Sequence, residues 1–169
     1  MTIKLSDLTK DINKIDHKDI ISDWAWLIDE LKQILMVTKF GDLFFTDTKN
    51  EVYWLDTGAG LSAKVGDSVD HFEEVLKDKE KFSEWFLTDL YLQLQEQGRF
   101  LQENEVYSFQ TLPILGGEYS TGNLKPTDIS VHFAINGQIC KNLKHVPDGT
   151  KIELKVDEGK KPWWKFGKS

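Results

Sequence analysis

Apolar residues recur along this chain at two different periods, which divide it into helical and extended segments. In residues 5–31 they fall at helical spacing and predict two short helices. Asp16 or Ser6 is expected to cap these helices, because a short side-chain oxygen accepts a hydrogen bond from a free backbone amide. Residues 33–65 instead contain short runs of Val, Phe, Tyr, Trp and Thr between turn residues, which predict a meander. The predicted strands are 33–39, 43–46, 51–55 and 61–65.

The third of these strands is apolar on both faces. Val52 and Trp54 share one face, and Tyr53 and Leu55 share the other. Such a strand is expected to be central in its sheet or to be covered by helices.

Residues 68–97 carry the strongest helical pattern in the chain. The segment is expected to begin at Ser68, to break near Lys79 and to end at Gly98, which acts as a left-handed cap. Its apolar face is wide, so we expect it to pack across the sheet.

The C-terminal third returns to the composition of strands. The predicted strands are 106–110, 129–135 and 151–156. Irregular backbone is expected around Pro113, Gly116 and Gly117, and 147–149 is a Pro-Asp-Gly turn. Strands, then helices, then strands predict an α+β fold with a mostly antiparallel sheet and helices packed on it.

The length of the chain indicates one domain. At 169 residues, a chain is long enough to bury a core without metals or disulfides. We expect a single α+β domain in residues 1–159 and a basic, aromatic tail in residues 160–169.

Charge favours a protein partner of opposite sign. The net charge is -7, and because the tail holds four lysines and no acid, residues 1–159 carry -11. Such a body repels nucleic acid and membrane phosphates and attracts a basic protein. A net negative charge is also an ordinary aid to solubility. Arg99 is the only arginine, which disfavours direct reading of nucleic acid.

Several further classes of protein are disfavoured. Cys140 is the only thiol, so an internal disulfide is excluded, and no apolar run suits a signal peptide or a membrane span. We therefore expect a cytoplasmic protein.

The four histidines have no metal-binding spacing, and His132 is expected to be a hydrogen-bonded residue of a strand. No phosphate-binding glycine loop or serine-nucleophile motif is present, and no cofactor is expected.

One motif suggests catalysis. Residues 54–59, Trp-Leu-Asp-Thr-Gly-Ala, resemble the active-site turn of retroviral-type aspartic proteases, in which two such aspartates share a proton. The segment 113–116 resembles the stretch that supports this turn. Those proteases are almost wholly β, whereas 68–97 predicts helix, and an Asp-Thr-Gly sequence also suits a plain turn after a strand.

Two charged segments are candidate binding surfaces. An acidic face is expected on the helical segment, formed by Asp70, Glu73, Glu74, Asp78, Glu80 and Glu84. It suits docking of a basic partner, although such a run is also typical of the solvated side of an amphipathic helix. The tail 160–169 contains aromatic and basic residues that suit membrane interfaces, but it is too short for a stable anchor, so packing on the body is expected.

Several short segments, in order, resemble one family of bacterial proteins, the Tdi-type immunity proteins that neutralise DNase effectors of type VI secretion. The segments are 37–44, 52–55, 115–119, Asn123, Asp128, 132–133, 137–139 and 147–150. The motif residues within them are Gly41, Asp42, Gly116, Gly117, Tyr119, His132, Gly137 and Gln138. The resemblance implies an α+β domain related to the SUKH group of immunity proteins, and binding to a toxin rather than catalysis. The additional N-terminal domain of the longer members is not expected in a chain of this length.

The leading hypothesis is therefore a cytoplasmic immunity protein without enzymatic activity. It is expected to bind a basic toxin, a nuclease effector, and to cover its substrate cleft with acidic side chains. A general protein-interaction module without a toxin partner is one alternative. A homodimeric aspartic protease that uses Asp56 is the other.

Overall fold

A computed structural model describes residues 2–144 and residue 146 of the chain. The α-helices are α1 (His17–Ser22), α2 (Val69–Val75), α3 (Lys79–Phe86), α4 (Thr88–Glu96) and α5 (Ile129–Leu143). The strands are β1 (Gln33–Val37), β2 (Leu43–Thr46), β3 (Val52–Asp56), β4 (Leu61–Gly66), β5 (Glu105–Phe109) and β6 (Leu124–Asp128). Short 3-10 turns lie at Leu5–Asp7, Ile12–Lys14, Pro113–Leu115 and Thr121–Asn123. Both sheets are antiparallel, and the predicted α+β class is confirmed.

The first four strands form the predicted meander. They pair in chain order, β1-β2-β3-β4, so β2 and β3 are the central strands. In the register between these two, Phe44 lies opposite Trp54, and Leu43 lies opposite Leu55. Each of these pairs places two large apolar side chains on one face of the sheet.

Both faces of β3 are covered, as its sequence predicts. Val52 and Trp54 belong to the cluster formed with Phe72, Trp85 and Phe86 of α2 and α3. Leu55 and Tyr53, on the other face, belong to the main core. That core includes Trp24 and residues from α5, such as Phe133.

The predicted helix 68–97 consists of three shorter helices. Ser68 caps α2 by accepting a hydrogen bond from the amide of His71. Asp78 caps α3 by accepting from two amides, which starts a new helix next to the predicted break. A second break, not predicted, lies at Leu87, whose φ of 49° is left-handed. Gly98 follows α4 with a φ of 67°, as expected of a left-handed cap.

The prediction of a strand at 129–135 is wrong. These residues begin α5, and the side chain of Asp128 caps it by accepting from the amide of Val131. The buried residues of α5 recur three or four positions apart, which is helical spacing. They are Ile129, His132, Phe133, Asn136, Gly137 and Cys140. His132 is therefore a helix residue and not, as predicted, a strand residue.

A separate two-stranded sheet is formed by β5 and β6. β5 corresponds to the strand predicted at 106–110, whereas β6 was not predicted. Its sequence, Leu-Lys-Pro-Thr-Asp, contains Pro126, which has no amide hydrogen for a ladder and is restricted to edge strands. Pro126 lies opposite Tyr107 in this sheet.

The N-terminal segment is less helical than its spacing predicts. One α-helix, α1, and two 3-10 turns occur in residues 5–22. Asp16 caps α1 by accepting from the amide of Asp19, as predicted, whereas Ser6 lies inside the first 3-10 turn. The indole nitrogen of Trp24 donates to the backbone oxygen of Phe133, at 3.0 Å, and ties this segment to α5.

Some sequence-based predictions lie outside the described residues. They are the strand 151–156, the turn 147–149 and the tail 160–169. The division of the chain into a domain and a tail therefore stays a prediction. Within the described part, no helix is long and apolar enough to span a membrane.

Candidate functional site

A buried group of polar side chains joins the meander to α5. Asp42, which is 8% exposed, accepts three hydrogen bonds through its carboxylate. Its Oδ1 accepts from the amide of Thr57 at 2.9 Å and from the Thr57 hydroxyl at 3.0 Å. Its Oδ2 accepts from the indole nitrogen of Trp54 at 3.2 Å. Asp42 thereby links the start of β2 to the end of β3.

His132 completes this group from α5. Its Nε2 lies 3.0 Å from the backbone oxygen of Gly41 and 3.0 Å from Oγ1 of Thr57, and its Nδ1 lies 2.8 Å from Oγ of Ser108. A carbonyl oxygen only accepts, so we assign the proton to Nε2, and Nδ1 accepts from the Ser108 hydroxyl. Burial lowers the pKa of His132 to about 4, which keeps the ring neutral at pH 7.

Gly41 allows the helix and the meander to approach this closely. Its φ is 78°, in the region that favours glycine, and a Cβ at this residue would overlap the imidazole ring of His132. The motif residues Gly41, Asp42 and His132 thus form one structural unit. This unit is buried, so its role in the structure is to hold α5 against the meander.

The Asp-Thr-Gly motif forms a turn directly beside this unit. Oδ1 of Asp56 accepts from the amides of Gly58 and Ala59, at 3.0 and 2.9 Å, which closes the turn after β3. Gly58 packs near the ring of Pro113, and its backbone oxygen accepts from the amide of Ile114 at 3.1 Å. The predicted support of this turn by segment 113–116 is confirmed as a contact.

A cavity of about 300 Å³ opens beside the turn. Three carboxylates line it: Asp42, Asp56 and Glu84. Its other walls are mainly aromatic: Phe40, Trp54, Phe109 and Tyr119. Glu84 belongs to the predicted acidic face, so this face reaches the edge of the cavity.

Burial and the charge of a neighbouring carboxylate raise the pKa values of both Asp42 and Asp56. The pKa of Asp42 lies well above its usual range because of burial and the charge of Asp56, although hydrogen bonds from Thr57 and Trp54 oppose this. The pKa of Asp56 is raised by burial and, less strongly, by the charge of Glu84. Burial and both aspartates raise the pKa of Tyr119 to about 12. The cavity therefore disfavours additional negative charge.

The predicted acidic face lies on the outside of α2 and α3. All six of its residues are exposed. Asp70, Glu73 and Glu74 lie on α2, Asp78 caps α3, and Glu80 and Glu84 lie on α3. Glu74 pairs with Lys77 at 2.7 Å, so part of the charge is neutralised within the face. Residues 67–84 hold seven acids and three lysines, which leaves a net charge of -4.

The other motif residues lie in two further places. Gly116 has a φ of 85° after the turn that begins at Pro113. A Cβ at Gly117 would overlap the backbone carbonyl of Thr111. Tyr119 is 54% exposed and lies edge-on to Phe109, with ring centroids 5.1 Å apart. This loop forms one side of the cavity.

Gly137 and Gln138 join α5 to the N-terminal segment. A Cβ at Gly137 would lie 2.6 Å from the backbone oxygen of Asp23, so only glycine allows this approach. The side-chain amide of Gln138 donates to the Asp23 carboxylate at 3.1 Å. Both residues lie far along the chain from Asp23, and their contacts hold α1 against α5.

Among residues 2–144 and 146, no group of His, Cys, Asp and Glu side chains is arranged to hold a metal ion. Cys140 is buried, and burial raises the pKa of its thiol to about 12. That thiol is therefore protonated and unreactive at neutral pH.

The comparisons with known proteins agree with the resemblance seen in the sequence. The family described as "T6SS immunity protein Tdi1, C-terminal" matches residues 66–140. The chain therefore matches a Tdi-type immunity domain over this range, which is less than half of its length. The matched range runs from the end of β4 into α5 and contains Tyr119, His132 and the whole acidic face. Gly41 and Asp42 lie before the matched range.

A solved structure, "Crystal structure of Atu4351 from Agrobacterium tumefaciens", is similar to this chain with a TM-score of 0.54 and 19% identity. The similarity covers 73% of this chain and 65% of that chain, so it spans less than two thirds of the other protein. At this identity it supports the fold alone. No curated protein matches the sequence.

Some residues of the site were not predicted. Thr57 and Ser108 complete the hydrogen bonds of Asp42 and His132, and neither was singled out by sequence. Thr57 stands inside the Asp-Thr-Gly motif, but its hydroxyl becomes important only when β2 and α5 are adjacent. The cavity was not predicted either, because its walls come from five separate parts of the chain.

Proposed function

We propose that this protein is a type VI secretion immunity protein that binds a cognate toxin and neutralises it. The match of residues 66–140 to the Tdi1 family carries this proposal. The matched family is one of immunity proteins, which supports a role in binding and not in catalysis. A cytoplasmic location and a relation to the SUKH group are further parts of the proposal.

The partner we propose is a basic toxin, a nuclease effector. A nuclease must attract phosphate, so its substrate cleft is positively charged. Residues 67–84, which carry the acidic face, have a net charge of -4, and this face is complementary to such a cleft. We propose that Asp70, Glu73, Glu74, Asp78, Glu80 and Glu84 contact the toxin and that the domain acts by covering its cleft.

Co-expression tests this function. The chain is produced in cells together with the toxin encoded beside its gene, and survival is compared with cells that produce the toxin alone. Protection is expected, with recovery of a complex that contains both proteins. Cells that die at the same rate with and without the chain would show that the proposal is wrong.

Matched variants test the acidic face. Glu73→Lys with Glu80→Lys reverses two exposed charges on the face. Asp29→Lys with Glu96→Lys makes the same change in net charge at exposed residues outside it. Weaker protection is expected for the first pair only. An equal loss with both pairs would indicate an effect of overall charge and not of this surface.

The two alternatives predict other results. A general interaction module would bind several unrelated and harmless proteins in pull-downs, and would give no protection. A homodimeric protease would cleave peptides at acid pH, and Asp56→Asn would abolish cleavage. The fold favours binding over this protease, because the described part of the chain contains five α-helices where such proteases are almost wholly β. In addition, the carboxylate that acts on Asp42 is Asp56 of the same chain.

A further inference from the structure

Three exposed apolar side chains lie on, or next to, residues that line the acidic cavity. We call Leu61, Ile114 and Tyr119 the cavity mouth; they are 62%, 38% and 54% exposed. Leu61 pairs with Asp56 across β3 and β4, and the amide of Ile114 donates to Gly58 in the turn. Single exposed apolar residues are ordinary, but Tyr119 in the cavity wall and two more beside neighbouring wall residues indicate a contact surface.

The charge inside the cavity has no counterion among the described ion pairs. None of those pairs includes Asp42, Asp56 or Glu84. The neighbouring charges that act on the two aspartates are other carboxylates. A cation in the cavity would relieve this repulsion and favour the ionised form of both side chains.

The aromatic walls favour the same kind of group. Ring faces attract cations, and the stems of lysine and arginine pack on apolar surface while their charged ends reach polar groups. Trp54 and Tyr119 provide such surface next to the carboxylates. A cavity of about 300 Å³ has room for one such side chain.

We propose that the cavity binds one arginine or lysine side chain of the partner toxin, and that the cavity mouth packs on apolar residues beside that side chain. This inference rests on the proposed function and gives the chemistry of its partner. It extends the binding surface from the acidic face, through Glu84, to the end of β3. Affinity then comes from a cation removed from water and not only from exposed charges.

A small probe tests the cavity without the toxin. N-acetylarginine methylamide is added to the full chain, and the indole N–H resonance of Trp54 is followed by NMR. Trp54→Phe identifies this resonance. Because this group donates to Asp42 in the cavity wall, we expect its shift to change and saturate. N-acetylcitrulline methylamide has nearly the same shape without the charge, and it is expected to cause little change.

Two single substitutions locate the binding. Glu84→Gln removes a cavity carboxylate from an exposed residue and is expected to weaken binding of the arginine probe about threefold to tenfold. Glu96→Gln makes the same chemical change at an exposed residue of α4, outside both the cavity and the acidic face, and is expected to leave binding unchanged. Equal shifts with both probes, no shift with either, or equal effects of the two substitutions would overturn the proposal. A resonance that moves with protein concentration and not with the probe would assign the cavity to a second copy of the chain, and would also overturn it.

The toxin experiment separates this inference from the function on which it rests. If the chain protects cells but the probe does not bind, the cavity proposal is wrong and the immunity function stands. If the probe binds but the chain gives no protection, the immunity function is wrong and the cation site stands without its proposed partner.

Discussion

The backbone oxygen of Gly41 lies 3.0 Å from Nε2 of His132, although 91 residues separate the two along the chain. This hydrogen bond joins the turn between β1 and β2 to the first turn of α5. The left-handed φ of Gly41 aims the carbonyl at the ring, and the missing Cβ leaves space for it. The contact is therefore specific to glycine.

Gly41→Ala is expected to lower the free energy of unfolding by more than about 2 kcal/mol, because it adds overlap with His132 to an unfavourable backbone conformation. Gly116→Ala is the matched control. Gly116 has a similar φ of 85° with nothing near its missing Cβ, so a loss of only about 1 kcal/mol is expected. Urea denaturation measures both values. Equal losses would show that the contact with His132 is unimportant.

Segments whose apolar residues follow one clear period were predictable from sequence. The meander 33–66 matches its predicted strands closely, because a strand such as β3 with large apolar residues on both faces suits only a central place. The wide apolar face of 68–97 likewise predicted helices on the sheet. The break at Leu87 was not predictable, because no glycine, proline or capping residue marks it.

α5 shows where local patterns mislead. Residues 129–135 alternate in part between apolar and polar, and they include β-branched residues, so a short window favours a strand. The helical spacing is visible only over the longer range from Ile129 to Cys140. β6 is the opposite case: it is a strand whose own sequence does not predict one. It is held in the extended conformation by its pairing with β5.

The candidate site was predictable only in parts. The Asp-Thr-Gly turn and the acidic face stand out in the sequence, and the structure contains both. Their convergence at Glu84 and Asp56 depends on α3 crossing the sheet near the end of β3, which is a tertiary contact. No short sequence pattern carries that information.

The titration of His132 predicts a loss of stability in acid. Its pKa is about 4 in the folded chain and about 6.5 when unfolded, so below pH 6.5 the unfolded chain binds the proton more strongly. This group alone is expected to remove about 3 kcal/mol of stability between pH 7 and pH 4. His132→Gln removes this dependence, so the stability difference between wild type and variant should shrink as the pH falls. A difference that is constant over this range would contradict the assignment of a neutral, buried ring.

Asp56 should show the opposite dependence on pH. Its pKa is raised in the fold, so its contribution to stability is present below its unfolded pKa of about 3.8 and is lost as the pH rises through the folded value. Asp56→Asn keeps the oxygen that accepts from Gly58 and Ala59 and removes the buried charge. We expect the variant to be more stable than wild type at pH 7 and to lose this advantage below pH 4. Denaturation at both pH values measures this, and a less stable variant at pH 7 would contradict it.

Thr57→Val is expected to lower the free energy of unfolding by about 1–3 kcal/mol, because it removes a donor to the buried Asp42 without changing the shape of the side chain. Thr127→Val is the control, since the hydroxyl of Thr127 makes only a local contact of 3.4 Å with Lys125. This control substitution is expected to change the free energy of unfolding by no more than about 0.5 kcal/mol. Similar losses at both residues would show that the polar unit of Asp42 and His132 does not depend on Thr57.

If the proposed toxin is the partner, the acidic face should act mainly on the rate of association with it. Surface charges of opposite sign speed up encounter, and salt screens them, so the rate constant for association should fall as ionic strength rises. Glu73→Lys with Glu80→Lys should lower this rate constant at low salt and flatten its dependence on salt. Glu84→Gln should instead raise the dissociation rate more than it lowers the association rate, because Glu84 lines the cavity in which a bound cation would be removed from water. Stopped-flow measurements at several salt concentrations separate the two effects, and a salt-independent association rate in the wild type would exclude steering by this face.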